Sequence, residues 1–244
     1  MNPRRTLATT ARVLTQIRHD PRTIALMLVV PSLLIGLMSW IFSDTTVFDQ
    51  VGPAILALFP FIIMFLVTSI STLRERRSGT LERLLSLPIG KLDFILGYTL
   101  AFGLLAILQA LIAVAFAVWV CGLTIEGSVW LLVAVALADA VLGTTLGLLA
   151  SAFARTEFQV VQFMPALVFP QVLLGGIFLP RDQLPDALHA ISDWLPLSHA
   201  IDALNAVARN DQDANFVGGE LLIIGAFALG AVILGSITLR RKSA

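Results

Sequence analysis

The sequence predicts an all-α membrane protein. Its expected parts are six transmembrane helices, an amphipathic N-terminal interfacial helix, a cytoplasmic helix in the second connection, and two short re-entrant or extracellular helices before the last span. Three observations predict this. The 244 residues are 57% hydrophobic and 13% charged, with a mean hydropathy of +0.90, against about 45–50% and about 25% for soluble domains. That balance excludes an ordinary soluble enzyme and a disordered chain. Six stretches reach the roughly 20 apolar residues that a helix needs to cross a hydrocarbon core about 30 Å thick: Ile24–Phe42, Gly52–Leu73, Leu92–Val120, Val129–Phe153, Phe158–Leu179 and Val217–Leu239. Third, the basic residues fall on one side. Arg4, Arg5, Arg12, Arg18, Arg22, Arg74, Arg76, Arg77, Arg83, Lys91, Arg155, Arg240, Arg241 and Lys242 share a face, which leaves Arg181 and Arg209 opposite, among nine acids that include Asp49, Glu126, Asp182, Asp186 and Asp202. Because basic residues are retained on the cytoplasmic side, a multi-pass protein of the cell membrane with both termini cytoplasmic is expected.

Residues 1–23 form the interfacial element. Leu7, Ala11, Leu14 and Ile17 recur at helical spacing, with Arg5, Arg12, Gln16 and His19 on the other side, and such a helix favours anionic headgroups. Its arginines are equally readable as topology anchors. Asp20-Pro21 breaks the helix, and the first apolar run is too long and too late for a cleaved signal peptide. The membrane domain occupies 24–239 and a basic tail 240–244.

The connection 74–91 is organised. Gly79 interrupts the helix leaving the membrane, Thr80 can cap a new one, Leu81, Leu84 and Leu85 share a face, and Pro88 stops it. Glu75 and Glu82 interleaved with Arg74, Arg76, Arg77 and Arg83 suit a protein groove of mixed charge, and a loop that only sets topology is the plainer alternative. In the outer loop 180–216, Leu184, Leu188 and Ile191 mark one short helix and Ile201, Leu204 and Val207 a second, both dipping into the outer leaflet, with Trp194 at headgroup level. Pro165, Pro170, Gly175 and Gly176 predict a kinked or broken fifth span.

Asp139 lies mid-span, where a carboxylate is expensive. Steps of four give Gly143, Gly147 and Ser151, a small-residue face that should pack on protein. Asp139 is either a polar contact with cargo or a protonated acid bonded to a neighbouring helix, such as the one bearing Gln109. Gln162 and Gln171 pose the same choice between interhelical bond and cavity lining. Phe59 and Phe65 join Asp139, Gln162 and Gln171 as substrate-path candidates, although most such phenylalanines only pack. Catalytic constellations are missing: the lone Cys121, the dispersed His19, His189 and His199, and Gly90-Lys91 without a following Ser or Thr offer no disulfide, no metal set and no phosphate loop. Zero formal charge gives no field for nucleic acid. Any ATP-driven work requires another polypeptide.

With Asp20-Pro21, Arg74-Glu75 through Gly79-Thr80-Leu81-Glu82-Arg83-Leu84-Leu85, Pro88-Ile89, Gly175-Gly176-Ile177-Phe178-Leu179-Pro180, Leu184-Pro185 and Trp194-Leu195-Pro196-Leu197, the chain resembles the permeases of the ABC type-2 transporter family over nearly its whole length, most of all the drug-export branch. The resemblance implies a permease that pairs with a second copy or a homologous permease. It contacts membrane lipids and rests on an ATP-binding-cassette ATPase subunit that uses ATP and Mg, while it binds no cofactor itself. The amphipathic helix and Arg74, Glu75, Gly79, Thr80, Glu82, Arg83 and Leu84 would couple the ATPase to the spans, and the late loop would be the outer gate. The implied cargo is an amphiphilic drug, antibiotic or lipid-like compound, and exporters of lipid-linked glycans share the scaffold. An ion-coupled transporter or channel using Asp139 is the alternative from another class.

Overall fold

In the computed structural model, which describes residues 3–43, 46–77 and 91–238, each apolar run is a helix. Helix α1 (Pro3–Arg18) ends before Asp20, whose carboxylate caps α2 (Pro21–Ile41) by accepting from the Thr23 amide at 3.2 Å and its hydroxyl at 2.7 Å. Those bonds hold the Asp20 carboxyl below its usual pKa. Helix α3 (Val47–Arg77) is the longest. Helix α4 (Lys91–Ala115) runs into a π-helical turn at Phe116–Val120. Helices α5 (Val129–Phe153) and α6 (Glu157–Leu174) follow. After a 3-10 turn (Arg181–Gln183) come α7 (Asp186–Ser192), α8 (Pro196–Arg209) and α9 (Ala214–Thr238). The described residues form nine α-helices and no strand, and six of these helices are long and apolar enough to span a membrane.

Helix α5 occupies the middle, packed on α3, α4, α8 and α9. Its Asp139-Gly143-Gly147 stripe faces protein as expected: a Cβ on Gly143 would lie 2.7 Å from the Phe61 carbonyl oxygen, and one on Gly147 2.6 Å from that of Phe65. Glycine lets the α5 and α3 backbones approach, as small residues do between membrane helices.

Four expectations change in detail. The fifth span ends at Leu174 instead of Leu179, because the chain turns at Gly175 and Gly176, the latter at φ +87°. Pro165 and Pro170 lie inside a continuous helix rather than at a break. The face of α1 that packs is threonine-rich. Thr6, Thr9, Thr10, Val13 and Ile17 are buried, whereas Leu7 of the expected stripe is 60% exposed and Ala11 is also exposed. Packing on α4 decides this: Thr10 donates its hydroxyl to the Gly97 carbonyl at 3.2 Å, and a Cβ on Gly97 would strike Thr9. Leucines fit lipid, while small polar residues with internal partners fit a close helix crossing. The two outer-loop helices form where expected, but α8 is buried against α3, α5 and α9 rather than dipping into the outer leaflet. Trp194 between them is 78% exposed.

Candidate functional site

At one end of the bundle α1, the last turn of α3, the first turns of α4 and α6, and the last turn of α5 converge. Three successive residues of α3 hold three different elements there. Glu75, its side chain 5% exposed, accepts from Arg12 of α1 at 2.7 Å. The same guanidinium donates to the Tyr98 hydroxyl of α4 at 2.8 Å and lies 5.9 Å from that ring's centroid. Tyr98 in turn packs against Phe94 and Phe102. Burial works against the charge on Arg12, and Tyr98 and Glu75 outweigh it, holding the group above its ordinary pKa. Arg74 makes a forked pair with Glu157 at the start of α6, at 2.8 and 3.0 Å. Arg76 donates to the Ser151 carbonyl near the end of α5.

A bidentate pair, a buried pair and a carbonyl bond hold orientation as well as distance. The end of α3 is thus the common anchor of α1, α5 and α6 and, through Arg12, of α4, and it is the stem of the 78–90 connection. Displacing the stem must displace its partners or break charged bonds. Of the expected coupling residues, Arg74 and Glu75 are in this junction, while Gly79, Thr80, Glu82, Arg83 and Leu84 lie outside the described residues.

The opposite end carries a second polar cluster. Arg181 donates to Ser192 at 2.6 Å and pairs with Asp193 and Asp202. His199 of α8 lies 2.6 Å from Glu220 of α9 through Nδ1, and 2.9 Å from the Asp193 carbonyl through Nε2. The Glu220 bond raises the His199 pKa against the effect of burial. Burial raises the Asp202 carboxyl, and Arg181 opposes that shift. The turn, α7, α8 and α9 are therefore held together by charge.

The substrate-path candidates are placed separately. Phe59 is partly buried against the core, and Phe65 is fully buried beside Gly147. Gln171 donates to Leu167 at 2.7 Å and accepts from the Leu197 amide at 3.0 Å, so it caps the start of α8. Gln162 is exposed on α6. Asp139 and Gln109 are completely buried, and the polar atoms of both lack a hydrogen-bond partner, so the bond considered between them is not formed. Among the described residues no group of three His, Cys, Asp or Glu could hold a metal. Sequence reasoning missed Tyr98, the pairing of Arg12 and the His199–Glu220 contact. The only signal was one of charge, with Arg181 and Arg209 as the two cations among nine acids on that side.

The fold and its two charged ends define an integral membrane protein with helices joined tightly at one end, as suits a transport subunit. The ABC-2 type transporter family matches residues 4–208, and the chain belongs to that family. It is 26% identical over 196 residues to ABC transporter G family member 20 of Dictyostelium discoideum, covering 80% of this chain and 27% of that one. Probable multidrug ABC transporter permease YbhR of Escherichia coli (strain K12) is 27% identical over 171 residues, 70% of this chain and 46% of its own. Linearmycin resistance permease protein LnrN of Bacillus subtilis (strain 168) is 26% identical over 170 residues, 69% and 44%. The chain thus spans less than half the length of these relatives.

Proposed function

We propose that this chain is the permease part of an ATP-driven exporter of an amphiphilic compound in the cell membrane, with the arginine-rich end in the cytoplasm and force arriving from a separate ATPase through the 78–90 connection. The observation that carries the reading is the triple anchorage of Arg74, Glu75 and Arg76 at the stem of that connection. A connection that only sets topology has no use for a stem bonded to three other helices. The family normally works with an ATP-binding-cassette ATPase, and relatives named as a probable multidrug transporter permease and a linearmycin resistance permease support export of a drug-like cargo.

A pathway between two copies is supported by α6. It is the least apolar of the six spans, yet it is as little buried as α2. A lipid-facing helix should be apolar, and α6 presents Gln162 together with exposed Phe158, Phe169 and Leu173. A second permease facing this surface would enclose a polar and aromatic path.

Reconstitution tests the reading. In vesicles, export of a lipophilic cation should require both ATP and a co-expressed ATPase, and Gly79→Pro or Glu82→Ala should abolish export while the protein remains in the membrane. The unpartnered Asp139 favours an ion-coupled transporter as the second reading. Export driven by an ion gradient without any ATPase would establish that one and refute the first.

A further inference from the structure

Both ring nitrogens of His199 face acceptors. Nδ1 lies 2.6 Å from a Glu220 carboxylate oxygen of α9, and Nε2 lies 2.9 Å from the Asp193 carbonyl, at the corner where α7 gives way to α8. A neutral imidazole has one N–H and one lone pair, so it satisfies only one of these acceptors. The imidazolium, with two N–H groups, satisfies both. Little water reaches these contacts, since the His199 side chain is 7% exposed and that of Glu220 12%. The Phe227 ring, two turns beyond Glu220 on α9, lies 6.4 Å from the imidazole between centroids.

Each neighbouring element sets its own charge against this ring. Glu220 attracts a proton to it from α9, Arg181 opposes one from the 3-10 turn, and Asp202, paired with Arg181, lies three residues on along α8. The Asp193 carboxylate is turned to Arg181 and to His189, the latter at 3.6 Å. Of the remaining helices packed on α8, α5 and α6 have no charged residue at this end, and α3 has Asp49, which is bonded to Thr124. Glu220 is therefore the anion that holds the charge on His199. When one proton leaves, the N–H facing the carboxylate is the one retained, because a charge-assisted bond is the stronger. Nε2 then presents a lone pair to the lone pairs of the Asp193 carbonyl, and the two must part. Ser192, one residue earlier, is buried and bonded to the Leu174 carbonyl at 2.8 Å and to Arg181 at 2.6 Å. It keeps the end of α7 pinned to α6 whatever the state of the imidazole.

We propose that His199 is a proton-operated latch on the loop at the end away from the arginines: as an imidazolium it joins the α7–α8 corner to α9, and loss of one proton releases the corner at Asp193 while Glu220 still holds α8 to α9. The latch is independent of the ATPase and of the cargo.

The test is spin labelling of the full chain in nanodiscs, with Cys121→Ser to remove the lone native thiol. A nitroxide attached through Trp194→Cys, a 78% exposed position beside Asp193, reports the corner, and one attached through Leu222→Cys, 77% exposed, reports α9. The mobile fraction at 194 should rise with pH between about pH 6 and 9, over about two pH units as a single proton requires, while the label at 222 shows no transition. Glu220→Gln keeps an acceptor without the charge and should move the midpoint at least about one pH unit lower, a response that a merely structural contact does not give. His199→Gln should flatten the curve, and His189→Gln should leave it in place. A flat parent curve, a transition that survives His199→Gln, one that vanishes with His189→Gln, or an equal transition at 222 overturns the latch. Should His199→Gln fail to fold, the Glu220→Gln midpoint decides: a lower value sustains the proposal, and an unchanged one refutes it.

Discussion

Replacing Arg12 by Ala should destabilise the protein more than replacing Glu75 by Gln, and the two changes together should cost less than their sum. The asymmetry follows from exposure. The Glu75 side chain is 5% exposed and that of Arg12 32%. Arg12→Ala therefore deprives a carboxylate in a nearly dry site of its cation and removes the donor to Tyr98. Breaking a buried pair costs about 3–5 kcal/mol, and because one partner reaches solvent the lower figure, about 3 kcal/mol, applies here. Glu75→Gln keeps the shape and one acceptor, and it leaves a cation that can turn to water, at about 1 kcal/mol. In the double variant neither charge remains, so the loss should fall to about 2 kcal/mol and the coupling energy should be about 2 kcal/mol, within the range for residues in contact. Denaturant unfolding in mixed micelles, followed by helical circular dichroism, measures all four corners of the cycle. Losses that add within about 0.5 kcal/mol, or a larger loss for Glu75→Gln, would refute the claim that Arg12 and Glu75 act as one clamp between α1 and α3.

Two further outcomes follow from the packing and the polar cluster at the other end. Gly147→Ala should destabilise by about 1–3 kcal/mol, the usual penalty of overpacking, since its Cβ would press on the Phe65 carbonyl; Gly230→Ala, with nothing within 4 Å, should be neutral or slightly stabilising, and thermal unfolding of the pair checks both. His199 contributes pH-dependent stability of definite sign. Its pKa is raised in the folded state, chiefly by Glu220, so the contribution is complete below the unfolded value of about 6.5 and is lost as pH rises through the folded value. His199→Gln should remove that decline from a Tm profile between about pH 6 and 9; a profile as steep as the parent's would show that another group is responsible.

What was legible in the sequence was what local periodicity and chain chemistry decide. Every span, the Asp20-Pro21 break and the two helices of the outer loop follow from runs of apolar residues and from residues that stop a helix, and neighbours in the chain carry that information. The Gly143-Gly147 stripe was also legible, because steps of four along one helix suffice to find it. The face of α1 was not. Its leucines and threonines both recur at helical spacing, and which of them turns inward depends on Gly97, in a helix about 90 residues away by chain order. Distance along the chain also hid Arg12 from Glu75, 63 residues away, and His199 from Glu220, 21 away: each looked like an isolated charge or ring until the fold supplied its partner.

That distinction bears on the 74–91 connection itself. Its motif was found by wording, as a string of residues, whereas what supports the proposed coupling role is the anchorage of Arg74, Glu75 and Arg76 on α6, α1 and α5. A stem bonded to one neighbour could swing freely and pass on little motion. Bonds to three elements in three directions leave it few ways to move alone, so under the proposed function a displacement imposed at residues 78–90 would pass to α1, α5 and α6, the last of which leads into the Arg181 turn. Coupling between the two ends then requires only that α5, seated against α3 along its glycine face, shift as a unit rather than bend. The tight carbonyl contacts at Gly143 and Gly147 favour that behaviour, since a closely packed interface slides or separates but does not deform continuously.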